Sequence, residues 1–123
     1  MKHKTGSLGE DCAAGYLIQN GYKIVTRNYR SRYGEIDIIA QKGGITAFVE
    51  VKTRSSDAFA LPREFVDPRK QRKIIQTAMQ YSSQFPSDTQ YRFDIIEVMI
   101  QSKDSFEPIS ITHLENTFDA GER

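Results

Sequence analysis

Apolar residues recur along this chain with two different periods, and the changes of period divide it into seven segments. Between about residues 7 and 20, Leu8, Cys12 and Tyr16 or Leu17 keep helical spacing, and Asn20-Gly21 supplies a stop signal. Three runs of strand character follow. The first covers residues 22–29 with Tyr22, Ile24 and Val25, the second 34–41 and the third 45–54. Lys42-Gly43-Gly44 separates the last two, and a Gly-Gly pair between such runs predicts a tight hairpin. Residues 55–66 read as a loop, with Pro62 arguing against regular structure. Asp67-Pro68 then opens a second helix, as an N-cap followed by proline at the first helical position. Ile74, Ile75, Ala78, Tyr81 and Phe85 hold its apolar spacing up to Pro86. A strand is expected over 90–100, a weaker one over 106–113, and a frayed polar tail over 115–123. The order α-β-β-β-α-β-β predicts an α/β fold, a mixed β-sheet flanked by helices. It forms a single domain over 1–123 with an ordered core of about 6–113.

Composition narrows the class. A chain of 123 residues can bury one core, and 38% hydrophobic with 27% charged residues is ordinary for a soluble protein. No apolar run approaches the ~20 residues that span a bilayer, so no membrane association is expected. Met1-Lys2-His3-Lys4 lacks the apolar stretch of a secretory signal. One cysteine, Cys12, excludes an internal disulfide and fits a reducing cytoplasm. Two histidines and one cysteine disfavour a zinc site of nitrogen and sulfur ligands, so oxygen would have to hold any metal. No nucleotide cofactor is expected. The net charge of +1 points to no partner, but basic residues cluster in Lys23–Arg32 and again at Arg63, Arg69, Lys70, Arg72 and Lys73. Such patches suit either a solvated surface or a phosphate-binding face.

Charges also interrupt the most hydrophobic strands. Asp37 lies in Gly34-Glu35-Ile36-Asp37, and Glu50 and Lys52 lie in Phe48-Val49-Glu50-Val51-Lys52. Strand side chains alternate faces, so Glu35, Asp37 and Ile39 share one face and Phe48, Glu50 and Lys52 share one face of the next strand. Counting back from Lys42 opposite Ile45 sets Asp37 against Glu50 and Glu35 against Lys52. Opposed carboxylates destabilise a sheet unless a cation joins them. Two readings stay open at this point: a solvated Glu35–Lys52 ion pair of little worth, or a site for Mg²⁺ or Mn²⁺ with a lysine beside it. The second would suit metal-assisted hydrolysis of a phosphodiester.

The wider sequence resembles a known family. Gly34-Glu35-Ile36-Asp37 followed by Glu50-Val51-Lys52 is the core pattern of PD-(D/E)xK nucleases. Further matches in order are Gly6, Gly9-Glu10, Ala13, Tyr16-Leu17, Gly21-Tyr22, Arg27-Asn28, Phe48 to Arg54, Lys73-Ile74 and Arg92-Phe93-Asp94. Together they resemble the YraN-like family of endonucleases, which is similar to archaeal Holliday junction resolvases. The resemblance implies a restriction-endonuclease-like fold and a Mg²⁺- or Mn²⁺-dependent endonuclease acting on DNA, with a preference for branched substrates, a role in repair or recombination, and a homodimer. By position it implies that Asp37, Glu50 and Lys52 are catalytic. Asp37 and Glu50 would hold the metal with the Val51 carbonyl, and Glu10 would complete its shell. Glu10 has a rival reading, since Ser7-Leu8-Gly9-Glu10 matches a capping box. The proline that names the superfamily is absent. Ala60 replaces a glycine before Pro62, and Thr77 replaces the glutamine of a Gln-x-x-x-Tyr helix motif.

Arg30, Arg32 and Arg54 flank the proposed site, and Arg69, Lys70 and Lys73 open the second helix, where the helix dipole disfavours cations. All six are candidates for DNA phosphate contacts. Asp94 reads as structural, either a partner standing behind the metal ligands or an ion pair with an arginine; His113 and His3 read as bystanders, and Cys12 as a small buried residue. A non-catalytic binding module that keeps the nuclease fold is the rival function.

Overall fold

Asp67 caps its helix as the sequence predicts, and Gly43 makes the tight turn with φ of 59°. The computed structural model describes residues 4–56, 67–102 and 104–118. In chain order these form α1 (Lys4–Gln19), β1 (Lys23–Arg30), β2 (Glu35–Lys42), β3 (Ile45–Ser55), α2 (Pro68–Gln84), β4 (Gln90–Ser102) and β5 (Ser105–Phe118). The strands make one mixed sheet in sequential order β1-β2-β3-β4-β5. Only β3 and β4 run parallel, because α2 carries the chain back across the sheet between them.

One helix covers each face. Ala13, Ala14 and Leu17 of α1 pack with Ile38, Ala40, Ala47, Val49, Ile96, Val98 and Ile100. On the opposite face Ile74, Ala78 and Tyr81 of α2, at i, i+4 and i+7, pack with Ile36, Ile39, Phe48, Phe93 and Ile95. Phe48 is 1% exposed, and its ring lies 5.4 Å from Phe93, 5.5 Å from Tyr91 and 5.9 Å from Tyr81. Strands buried on both faces read as continuous apolar runs, which is why Asp37, Glu50 and Asp94 stand out in the sequence.

Three expectations need correction. Helix α1 begins at Lys4, so Ser7 lies inside it and Ser7/Glu10 is not a capping box. Strand β5 runs on to Phe118, through half of the expected frayed tail. Phe118 stacks on Phe93 at 4.8 Å and the Thr117 hydroxyl donates to the Phe93 carbonyl, so one apolar residue anchors a polar segment. Simple alternation also fails at Asp37. Ile36 packs on the α2 face with Ile39, whereas Ile38 packs on the α1 face. Directly across, Asn28 has φ of 58°, and neither Asn28 nor Asp37 joins the ladder between Arg27↔Ile38 and Tyr29↔Ile36. A paired kink thus switches both strands from one face to the other at Asp37. Most of the expected loop, with Ala60, Pro62 and Arg63, lies outside the described residues.

Candidate metal centre

The Gly-Gly turn sets Lys42 against Ile45 as counted, and the β2–β3 ladder holds that register through Ile38↔Val49. There it stops. Asp37 and Glu50 would be the next pair, but the strands part at the kink. The Asp37 carboxylate closes the gap, its Oδ2 accepting a 2.8 Å hydrogen bond from the Val51 N–H. A side chain thus replaces a ladder bond and fixes the orientation of Asp37 relative to the Glu50-Val51-Lys52 segment.

Glu50, with a side chain 11% exposed, turns toward α2 and meets the Lys70 ammonium at 2.6 Å. Lys70, expected to contact phosphate, stands in the carboxylate site instead. Partial burial works to lower its pKa. The Glu50 hydrogen bond and charge, with Asp37 and Asp67 nearby, outweigh that and hold it above the usual lysine value. Lys52 is half-buried on β3, beside Glu97 of β4 in register. Its ammonium makes no hydrogen bond or ion pair among the described residues. It borders an open groove of about 310 Å³ together with Glu50, Val51, Thr53 and Arg54. Glu35 does not face Lys52, because the ladder has ended; it pairs with Arg30, its β1 neighbour, at 3.6 Å.

Glu10 reaches the region from the α1 side. Its neighbour Gly9 lies so close to β3 that a Cβ there would fall 2.0 Å from Thr53 Oγ1. This close approach, which only glycine permits, holds the second turn of α1 against the end of β3. Glu10 is 3% exposed and its Oε1 is 3.7 Å from an Arg27 guanidinium nitrogen. Among the described residues, no three Asp, Glu, His or Cys side chains form one metal-holding group. Glu10 is held by Arg27 and Glu50 by Lys70, while Asp37 is held by an amide.

The donor set suits a hard divalent ion. Mg²⁺ is ordinarily held by one or two carboxylates, with waters and phosphate oxygens filling the remaining positions. Asp37 and Glu50 sit on adjacent strands just past the last pair of their ladder, and the ammonium beside Glu50 marks the place as one that attracts positive charge. The remaining candidates are dispersed. Arg54 is 16% exposed and turned to Glu97 at 3.9 Å. The Arg32 guanidinium lies over the Tyr33 ring at 5.2 Å, while Arg30, Arg69 and Lys73 are exposed.

A second polar centre was legible only in part from the sequence. Asp94 is buried and accepts from Arg92 at 2.9 Å, from His113 Nε2 at 2.8 Å and from the Asn116 N–H at 3.0 Å. Tyr16 of α1 reaches His113 Nδ1 at 3.1 Å, and Arg92 donates to the Tyr22 hydroxyl at 2.6 Å. Asp94 is paired with an arginine as expected, but His113 is no bystander. Two register shifts between β4 and β5 place it opposite Ile96, which hairpin counting from the turn would miss. Burial acts to raise the Asp94 pKa, and the bonds from His113, Arg92 and Asn116 together lower it below its ordinary 3.8.

Residues 9–98 match the model of a family described as uncharacterised protein family UPF0102. A UPF0102 protein of Trichlorobacter lovleyi is 47% identical over 116 residues, covering 93% of this chain and 89% of the relative. One from Alkaliphilus oremlandii is 46% identical over 121 residues, covering 96% and 100%. One from Persephonella marina is 43% identical over 115 residues, covering 93% and 92%. Among the described residues no helix is long and apolar enough to cross a membrane.

Proposed function

The chain belongs to the UPF0102 family, the YraN-like group, and within it we propose that this protein is a divalent-metal-dependent endonuclease that hydrolyses DNA phosphodiester bonds. The observation that carries the reading is the strand parting at Asp37. There the Val51 N–H fixes one carboxylate, Glu50 stands on the adjoining strand, and the Lys52 ammonium, with no ion pair among the described residues, borders an open groove.

Asp37 and Glu50 would hold Mg²⁺ or Mn²⁺, with the carbonyl of Val51, the residue after Glu50, as a third ligand. The ion supplies Lewis acidity at a phosphoryl oxygen. The protein's own residues do the rest. The Val51 amide keeps Asp37 in one orientation, so no rearrangement of that carboxylate is needed during reaction. Lys52 offers three N–H donors to a phosphate oxygen or to the attacking water at the open groove that it borders. Exposed Arg30, Arg69 and Lys73 would be the residues to hold backbone phosphates away from the reacting bond.

The test is a cleavage panel of single-stranded, duplex, flap and four-way DNA with Mn²⁺. Wild type should cut at least one substrate and stop when EDTA is added, while Lys52→Ala should lose activity by about 100-fold or more. Equal products from both proteins would remove the assignment. One observation favours the non-catalytic rival: Glu50 is already neutralised by Lys70. DNA binding that is unchanged in Glu50→Gln and never followed by cleavage is the result that would establish it.

A further inference from the structure

Lys70 lies four residues before Ile74, which begins the sheet-facing stripe Ile74, Ala78 and Tyr81 of α2. It therefore continues that stripe one turn beyond the apolar contact, where the sheet offers Glu50 instead of a hydrophobic residue. Asp67 fixes this turn, its carboxylate accepting from the Lys70 backbone N–H at 3.0 Å. Backbone and side chain of Lys70 are thus both engaged, and the ammonium ends 2.6 Å from Glu50. The side chain is 48% exposed, on a flexible four-carbon stem that can swing into solvent while the helix stays in place.

Two carboxylates on parting strands need positive charge near them, and here a lysine supplies it. A divalent ion at the same carboxylates competes with that ammonium for Glu50. Building on the metal-site reading above, we infer that Lys70 is the resident counter-ion of Glu50 in the metal-free protein and is exchanged for the divalent cation when it binds. The exchange has a consequence for substrate. Each metal ion taken up releases one ammonium at the rim of the groove, where it is available to a phosphate of a bound polyanion. Metal and nucleic acid then strengthen each other's binding, and the coupling is reciprocal.

Calorimetric titration with Mn²⁺, in the absence of DNA, tests the exchange on wild type, Lys70→Met, Lys70→Arg and Glu50→Gln. Removing the competing ammonium should tighten Mn²⁺ binding in Lys70→Met roughly fivefold, the scale of a partly exposed ion pair. Lys70→Arg, which keeps a cation on Glu50, should bind no tighter than wild type. In the wild-type protein, Mg²⁺ should also shift the Lys70 side-chain nitrogen resonance, a readout that needs no variant to fold. Equal or weaker binding by Lys70→Met, with binding lost in Glu50→Gln, overturns the exchange and leaves the metal site standing. An unmoved Lys70 resonance at saturating Mg²⁺ does the same. No Mn²⁺ binding by any of the proteins overturns both.

Discussion

Asp37 and Asp94 occupy similar sequence settings, Ile36-Asp37-Ile38 and Phe93-Asp94-Ile95, yet the fold treats them in opposite ways. Asp94 is surrounded: a guanidinium, an imidazole and a backbone amide converge on it, and its side chain is fully buried. Asp37 is half-buried where two strands part, beside Glu50 and a lysine that solvent can reach. A buried charge with all its partners in place ties elements together. Two carboxylates beside a solvent-exposed lysine leave room for a ligand. The difference lies in how replaceable the partners are, and it separates a structural acid from a candidate catalytic one.

Substitutions can break that distinction. The largest effect expected is on chemistry, where Lys52→Ala should lower the cleavage rate about 100-fold or more while unfolding at the wild-type temperature. Asp94→Asn should do the reverse. Taking the charge from under Arg92 and His113 should destabilise the fold by about 3 kcal/mol, seen in denaturant titration, with metal affinity unchanged. Gly9→Ala should cost about 2 kcal/mol, because the new methyl meets Thr53, and adding Thr53→Ala should recover most of it. The smallest effect is one of pH. Asp94 has a folded pKa below its unfolded value of 3.8. Its contribution is therefore complete above that value and fades as pH falls through the folded pKa. The stability gap between wild type and Asp94→Asn should hold steady from pH 5 to 7 and narrow below about pH 4.

Much of this was legible in the chain because it depends on short-range rules. Alternation and the Gly43-Gly44 turn give β2 and β3 and their register, and Asp67-Pro68 gives the start of α2. The same counting brings Asp37, Glu50 and Lys52 to one end of a hairpin. It errs where the chain breaks its own period. At the kink of Asn28 and Asp37 the β2–β3 ladder stops while β1–β2 continues, so Glu35 pairs with Arg30 and away from Lys52. Bulges between β4 and β5 bring His113 to Asp94, and Asn116, with φ of 56°, brings its amide there too. Lys70 is a different failure. Composition marks it as one of several helix cations, and only the docking angle of α2 shows that it reaches Glu50.

Single-turnover nicking of supercoiled DNA with Mn²⁺, normalised to folded protein, sets Lys52→Ala directly against Asp94→Asn. The account predicts that Asp94→Asn cuts at close to the wild-type rate per folded molecule and that Lys52→Ala, fully folded, is inactive. A Lys52→Ala protein that cuts as wild type does, or an Asp94→Asn protein that is folded and inactive, would contradict it.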